Sequence, residues 1–380
     1  MRKPIQAVAF SLLLVVAGCG GGDERGNLSS LPPCGGAVEL TALPLAQGDF
    51  TSVVPLGNLS PSDHTLPTEH HYFVLPLDPA NPDRAQQVPV LAAARGTVVE
   101  VEDVEHVNRG FHDYDLTLGV CRDFSVHYGH LSQISEALRA ELGTPTRCDT
   151  YTTGGNTYRR CQYRLHGEVA AGEELGRAGG NPEQYALDLG AKDYRREQNA
   201  YANPARYRNE ATFLLYAVSP LDYLTPELQD VVDPKMGDFE GNRRTREPLH
   251  GQIAYDVAGT AMGNWFREGE PFFPEDPHLA LVKDNVDPGL YAISAGTSLG
   301  ALAGRVVRFS PEASGSVNRP FEQVTPGGTY CYPTEQPGTT TPVGRVLLRL
   351  QDSGRLRAEF QPGKGCSEAL QFVSAAVFVR

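Results

Sequence analysis

His64, His70, His71, His127 and His130 fall in two tight groups in the first half of the chain, making up half of its ten histidines. Imidazoles gathered near strands are the usual donors of a zinc site, in which three protein ligands leave one position open for a water that the metal acidifies. Taken singly, each of these histidines reads as a surface or hydrogen-bonding residue. The sequence has no Ser-His-Asp order, phosphate-cradling glycine loop or dinucleotide fingerprint in a strand-helix context, so nucleophile-elbow hydrolase, kinase and dehydrogenase readings fall away.

The elements that must position these histidines are mostly strands. Short runs rich in Val, Leu, Tyr and Phe alternate with Gly, Pro and Asn, as at Tyr72–Leu75, Gly96–Val101 and Tyr114–Leu118. The spacing of Ile134, Leu138 and Leu142 predicts a helix over Leu131–Leu142 with Ser132 as its cap, and a second helix is expected over Pro204–Tyr216. Past a polar stretch at residues 234–248, strands resume at Val306–Phe309, Arg345–Leu350, Leu356–Phe360 and Ala375–Val379, where Arg alternates with apolar residues as in sheets with one wet face. This turn density suits a compact barrel or sandwich.

Three segments occur in an order that carries more information than any one of them. Val88–Val101 contains Ala92-Ala93-Ala94-Arg95-Gly96-Thr97-Val98; then come Tyr128-Gly129-His130-Leu131-Ser132 and Val169-Ala170-Ala171-Gly172-Glu173-Glu174-Leu175-Gly176-Arg177-Ala178-Gly179. These resemble, respectively, the A-x-x-x-G-x-V, Y-x-H-L-S and V-x-A-G-x-x-I-G-x-x-G signatures of the LytM or lysostaphin-like zinc endopeptidases. The resemblance spans about Val53–Leu224, a single-domain length. It implies a mostly antiparallel sheet of the duplicated-hybrid-motif type, related to barrel-sandwich hybrids.

Active members of that family bind one zinc through H-x-x-x-D and the last histidine of H-x-H. This chain departs from both motifs: four residues beyond His64, His70 and His71 stand Thr68, Val74 and Leu75, and where H-x-H belongs the chain reads Ala186-Leu187-Asp188. Two readings follow. In one, the domain has lost its metal and binds peptidoglycan or an envelope protein without cutting. In the other the ligands are exchanged: His64 and His70, taken as one strand, join Asp188 in a three-ligand set for one zinc, with His130 as catalytic helper. Ala186 disfavours hydrolysis because a methyl group stabilises no oxyanion. A third reading makes the chain a structural surface lipoprotein.

Several other residues receive plainer readings. His71, next to His70, points to the opposite face of its strand, and His127 is structural or exposed. Asp193 hydrogen-bonds a following turn. Trp265, Phe266, Phe272 and Phe273 cluster at the start of the second domain and read as core residues or, if exposed around a groove, as a platform that stacks on sugars or engages a partner.

Arg2 and Lys3 precede an apolar run, Ile5–Val16, too short to span a bilayer, which reads as a signal peptide. Val16-Ala17-Gly18-Cys19 resembles the lipobox of bacterial lipoproteins and implies a lipid on Cys19 that anchors the chain to a membrane of the cell envelope. Gly20 after that cysteine implies the outer membrane if the envelope is Gram-negative. Residues 20–30 read as a flexible tether. The six remaining cysteines, in an oxidising compartment, predict disulfides. Cys148 and Cys161 flank a turn, Cys331 and Cys366 share the last strand-rich segment, and Cys34 and Cys121 are left as a third pair, out of fifteen pairings that six cysteines permit. A net charge of -13 argues against nucleic acid as a partner.

The expected organisation is a signal peptide over residues 1–18, lipidated Cys19 and tether over 19–35, a LytM-like domain over 36–233, a linker over 234–248, and a β domain of unknown function over 249–380. The fold class is mainly β, a LytM-like antiparallel domain followed by a second β-barrel or sandwich.

Overall fold

The structure, a computed structural model, describes residues 24–61, 64–153, 156–335 and 342–380. Cys19 and its apolar leader lie outside the described residues. Among the described residues no helix is long and apolar enough to cross a membrane. The fold is mainly β, with antiparallel sheets and a nearly closed barrel.

A short helix, α1 (Glu24–Leu28), comes first. The strands that follow are β1 (Ser52–Val54), β2 (His70–Val74), the hairpin of β3 (Leu77–Asp78) and β4 (Asn81–Ala85), β5 (Val88–Leu91), β6 (Gly96–His106), β7 (Phe111–Cys121) and β8 (Phe124–Ile134). After helix α2 (Glu136–Glu141) come β9 (Arg147–Thr153), β10 (Asn156–Val169), β11 (Glu174–Ala178) and β12 (Ala186–Asp193). Helices α3 (Pro204–Glu210) and α4 (Thr212–Tyr216), strand β13 (Ala217–Val218) and helix α5 (Pro226–Val232) close the first half. The sheet order is β1-β2-β12-β8-β7-β6-β10-β9, with β11 linking β5 to β8 and β13 pairing with β12.

The second sheet comprises β14 (Gly263–Arg267), β15 (Leu279–Lys283), β16 (Tyr291–Ala295), β17 (Arg305–Phe309), β18 (Tyr330–Glu335), β19 (Pro342–Asp352), β20 (Arg355–Pro362) and β21 (Ala376–Val379). Its order is β17-β16-β15-β14-β21-β20-β19-β18. Every strand run expected from sequence coincides with one of these elements, except that Leu75 lies just past β2 and Ala375 just before β21. Trp265, Phe266 and Phe272 are buried in the second core, and the Trp265 indole N–H donates to Ala261 O at 2.8 Å.

The helix expected over Leu131–Leu142 is shorter. Residues up to Ile134 remain in β8 because β11 claims their backbone, pairing Gly176 with Ile134 and Arg177 with Gln133. Ser135, not Ser132, caps α2, accepting from Leu138 N–H. Ser132 instead donates to Arg177 O at 3.2 Å. The second expected helix is present, broken at Ala211 into α3 and α4.

The tether expectation also needs correction at its C-terminal end. Leu28 and Leu31 are buried and pack with Val99, and Asn27 Nδ2 donates to Glu100 Oε2 at 2.6 Å. Gly119 makes this docking feasible, since a Cβ there would lie 2.4 Å from Leu31 and 2.8 Å from Leu28. Two leucines bury enough apolar surface to order a segment whose other residues are polar. Disulfides join Cys34 to Cys121, Cys148 to Cys161 and Cys331 to Cys366, the same three pairs expected from sequence.

Each sheet has its own core. Phe73, Val90, Val98, Leu116, Tyr128 and Leu187 belong to the first; Trp265, Leu281, Phe321, Tyr332, Val346 and Phe378 belong to the second. Packing crosses the sequence boundary nonetheless, because Leu56, Leu59 and Leu66 and the helical residues Tyr207, Leu214 and Leu215 sit in the second core. The polar stretch 234–248 separates the two sheets in sequence but is pinned. Met236 is fully buried and bridges Val53, and buried Arg244 donates to Pro248 O and Asn285 O.

Candidate functional site

Strand adjacency brings the sequence-distant candidates together. Strand β12 lies between β2 and β8, with Asp188 opposite Tyr72 on one side and Gly129 on the other, and Gly190 opposite His70. Gly129 has no side chain to separate the strands' carboxylates: a Cβ there would sit 3.0 Å from Asp115 Oδ1 and 3.1 Å from Asp188 Cβ. Next to it, His130 has a φ of +64° where the β7–β8 register slips. A bulge of this kind re-aims a side chain out of strict alternation, and here it turns the ring toward β7 and β12.

The result is a buried row of alternating acids and bases. His130 Nδ1 is 2.8 Å from Asp113 Oδ2, and His130 Nε2 is 3.5 Å from Asp188 Oδ2. The same Asp188 oxygen is 3.2 Å from His70 Nε2, and His70 Nδ1 is 3.7 Å from Glu69 Oε2. His70 and Asp188 are only 8 % and 7 % exposed. Burial by itself would discharge the two rings, but the Asp188 and Glu69 carboxylates hold His70 up at about 9, and Asp113 and Asp188 hold His130 up at about 10. Burial also works against ionised Glu69, yet His70's hydrogen bond and charge hold its carboxyl down at about 2. Asp115 is pushed up, by burial first and then by Asp113.

Three polar atoms in this cluster, His70 Nε2, Asp188 Oδ1 and Asp113 Oδ1, are buried without a hydrogen-bond partner. His64 stands one ring further out. It lies in the loop before β2, not on that strand as expected, where it bridges Ser60, and its ring is 5.5 Å from that of His70. Burial and the neighbouring His70 charge lower its pKa to about 4. The structure thus joins His70, His130 and Asp188 directly, with His64 at their edge.

His71 points to the other face, as expected. Its Nδ1 is 3.0 Å from Val54 O and its Nε2 2.9 Å from Ser219 Oγ, and burial lowers its pKa to about 3. His127 is half-buried on β8 opposite Gly190, which faces His70 on its other side, so it lies on the same sheet face as His70 and Asp188. Asp193 accepts from the Arg195 backbone N–H at 3.0 Å, in the turn role assigned to it. Ala186 is buried on β12 opposite Val74.

Sequence reasoning missed Glu69, Tyr72, Asp113 and Asp115. Asp113 and Asp115 did carry a signal, because carboxylates two apart on an otherwise apolar strand share a face, and burying both asks for a cationic partner. Tyr72 lies 4.8 Å ring to ring from His70 and packs on Phe239, a large apolar side chain that stays 45 % exposed.

Zinc fits the donor chemistry but not the contacts as they stand. Neighbouring donors of a tetrahedral zinc with bonds of about 2.0–2.1 Å are about 3.3 Å apart, and the two imidazole-to-Asp188 separations bracket that value. The side chains are nonetheless paired with one another, and among the described residues no three His, Cys, Asp or Glu are arranged around a common ion position. Holding zinc requires the two ion pairs to part. Comparison with protein-family models and with curated proteins gave no match for the chain.

Proposed function

We propose that this chain is an envelope lipoprotein, anchored through lipid on Cys19, whose first β body is a degenerate LytM-like domain that binds peptidoglycan without cutting it. The observation that carries the reading is that the segments resembling the peptidase signatures lie on neighbouring strands, β5 beside β11, β11 beside β8 and β8 beside β12, with Ala186 where that resemblance calls for a histidine. A methyl group there gives a developing oxyanion no donor. The polar side chains around Asp188 neutralise one another, which suits a module kept for its shape. Sedimentation of the purified chain with sacculi tests the proposal. Co-pelleting is expected; a chain left in the supernatant refutes wall binding, and cross-linking in cells then identifies an envelope-protein partner instead.

A second reading, a divergent zinc hydrolase, is favoured by one observation: His70 Nε2 is buried, makes no hydrogen bond, and faces the Asp188 oxygen that His130 also faces. In this reading His70, Asp188 and His130 hold the ion, and His64 is too peripheral for the ligand role expected of it. A zinc so held supplies an acidified water for attack on a peptide bond. Metal analysis of protein purified without a histidine tag decides it. Stoichiometric zinc lost in His70→Ala, Asp188→Ala and His130→Ala but kept in His64→Ala supports this reading, and metal-free wild type refutes it.

A further inference from the structure

The segment that delivers His64 and His70 to the site is held from the second body. After β1 the chain leaves the first sheet, and Leu56, Leu59 and Leu66 are buried in the core that contains Trp265 and Phe266. Polar ties fix the excursion at both ends. Leu56 N–H donates to His250 O at 3.0 Å, and Asn285 Nδ2 donates to Pro55 O at 3.2 Å. The His250 ring is itself clamped between Asp222 and Asp233, at 2.6 and 2.9 Å. At the base of the excursion Gly57 N–H donates to Thr68 O and Thr68 N–H to Asn58 O, at 2.9 and 3.1 Å. Closest to the site, Leu66 N–H donates to Glu275 Oε2 at 2.8 Å.

That last contact is unlike the others. Thr65, Leu66 and Thr68 are buried, so the Leu66 N–H has little water to turn to, and a buried donor left without an acceptor is costly. The Glu275 carboxyl supplies that acceptor, and an oxygen of it can accept the bond whether or not the group is ionised. Glu275 comes from the loop between β14 and β15, so its reach sets the height of residues 64–69 relative to the second sheet.

We propose that Glu275 is a positioning residue of the site: acting through Leu66, it fixes the segment that carries His64, Glu69 and His70, and so sets how His70 meets Asp188. The second β body is then part of the site and not a spacer behind it. This rests on neither wall binding nor zinc, and its test uses no ligand.

The test compares Glu275→Gln, Glu275→Asp and Glu275→Ala in the full chain. Gln keeps an acceptor oxygen at the same reach; Asp keeps the carboxyl group but falls a methylene short. The readouts are amide hydrogen exchange at Leu66 and His70 and the ring nitrogen resonances of His70 and His130, with the amides of Val101 and Tyr163 on β6 and β10 as internal controls. Glu275→Asp and Glu275→Ala are expected to speed exchange at Leu66 at least tenfold and to shift the His70 ring signals, with Val101 and Tyr163 unchanged and Glu275→Gln matching wild type. Unmoved Leu66 and His70 signals in Glu275→Asp overturn the proposal, as does acceleration that includes Val101 and Tyr163 equally. If Glu275→Ala does not fold, the Asp and Gln variants alone decide it.

Discussion

Asp188 Oδ2 stands 3.5 Å from His130 Nε2 although the two residues come from strands that neither residue's own segment identifies as neighbours. The contact exists because β8 slips register at His130, turning its ring, and because Gly129 leaves the space between the strands empty. His70 approaches the same oxygen from the opposite strand, so the two rings share one carboxylate between them.

Removing that carboxylate leaves two imidazoles buried beside each other. Breaking a buried pair from one side costs about 3–5 kcal/mol, so Asp188→Ala is expected to lower the unfolding free energy by an amount in that range. Urea unfolding measures it. In histidine-detected NMR the pKa values of both His70 and His130 should fall. A variant as stable as wild type would show that the row around Asp188 has no energetic role.

The pH dependence of stability has two limbs with definite signs. His70 and His130 have folded pKa values of about 9 and about 10, above their ordinary 6.5, so their contribution is complete below pH 6.5 and is lost as pH rises through 9 to 10. His71 and His278, pushed down by burial to about 3 and about 4, contribute fully above pH 6.5 and lose that contribution as pH falls toward 4 and below. Glu275, raised by burial to about 8, opposes the acid limb, being most favourable below its ordinary 4.5 and losing its contribution as pH climbs to 8. Thermal unfolding from pH 4 to 10 should show the alkaline decline become shallower in Asp188→Asn and the loss between pH 4.5 and 8 shrink in Glu275→Gln. Unchanged curves in both variants contradict the assignments.

Gly129→Ala tests the close approach directly. A Cβ at 3.0 Å from Asp115 Oδ1 and 3.1 Å from Asp188 Cβ requires both side chains to give by a few tenths of an ångström. Overpacking of this kind costs about 1–3 kcal/mol. The His130 ring resonances are expected to shift with the loss of stability, whereas an Ala variant with wild-type stability and spectra shows that the strands have room to spare.

The three disulfides should rank by the chain they close. Sequence separations of 87, 35 and 13 residues for Cys34–Cys121, Cys331–Cys366 and Cys148–Cys161 correspond to about 5, 4 and 3 kcal/mol of loop-closure entropy. Paired Cys→Ser variants, compared by denaturant unfolding, are expected to follow that order. The reverse order would show that local packing outweighs chain entropy.

Lipidation is tested by fractionation. Cys19→Ser is expected to release a soluble, unlipidated chain from the membrane fraction, and a variant that stays in the membrane contradicts the anchor.

Local pattern was enough to read much of this molecule. Alternation at Gly96–Val101 and Arg345–Leu350 marked strands because a pleated chain exposes every second side chain, and turn residues around Cys148 and Cys161 marked a hairpin that could carry a bridge. His71's separation from His70 followed from the same period of two. Other features depend on which strands become neighbours. Leu131–Ile134 has a helical spacing, but β11 supplies hydrogen bonds that a helix would have to forgo. His64 looked like a strand companion of His70, yet Leu66 is drawn into the second core and takes the chain with it. Periodicity is a property of one segment and is written in residue order. The meeting of Asp113, His130, Asp188 and His70, and the reach of Glu275 to Leu66, are distances across strands and between bodies, and only the packing of the whole chain sets them.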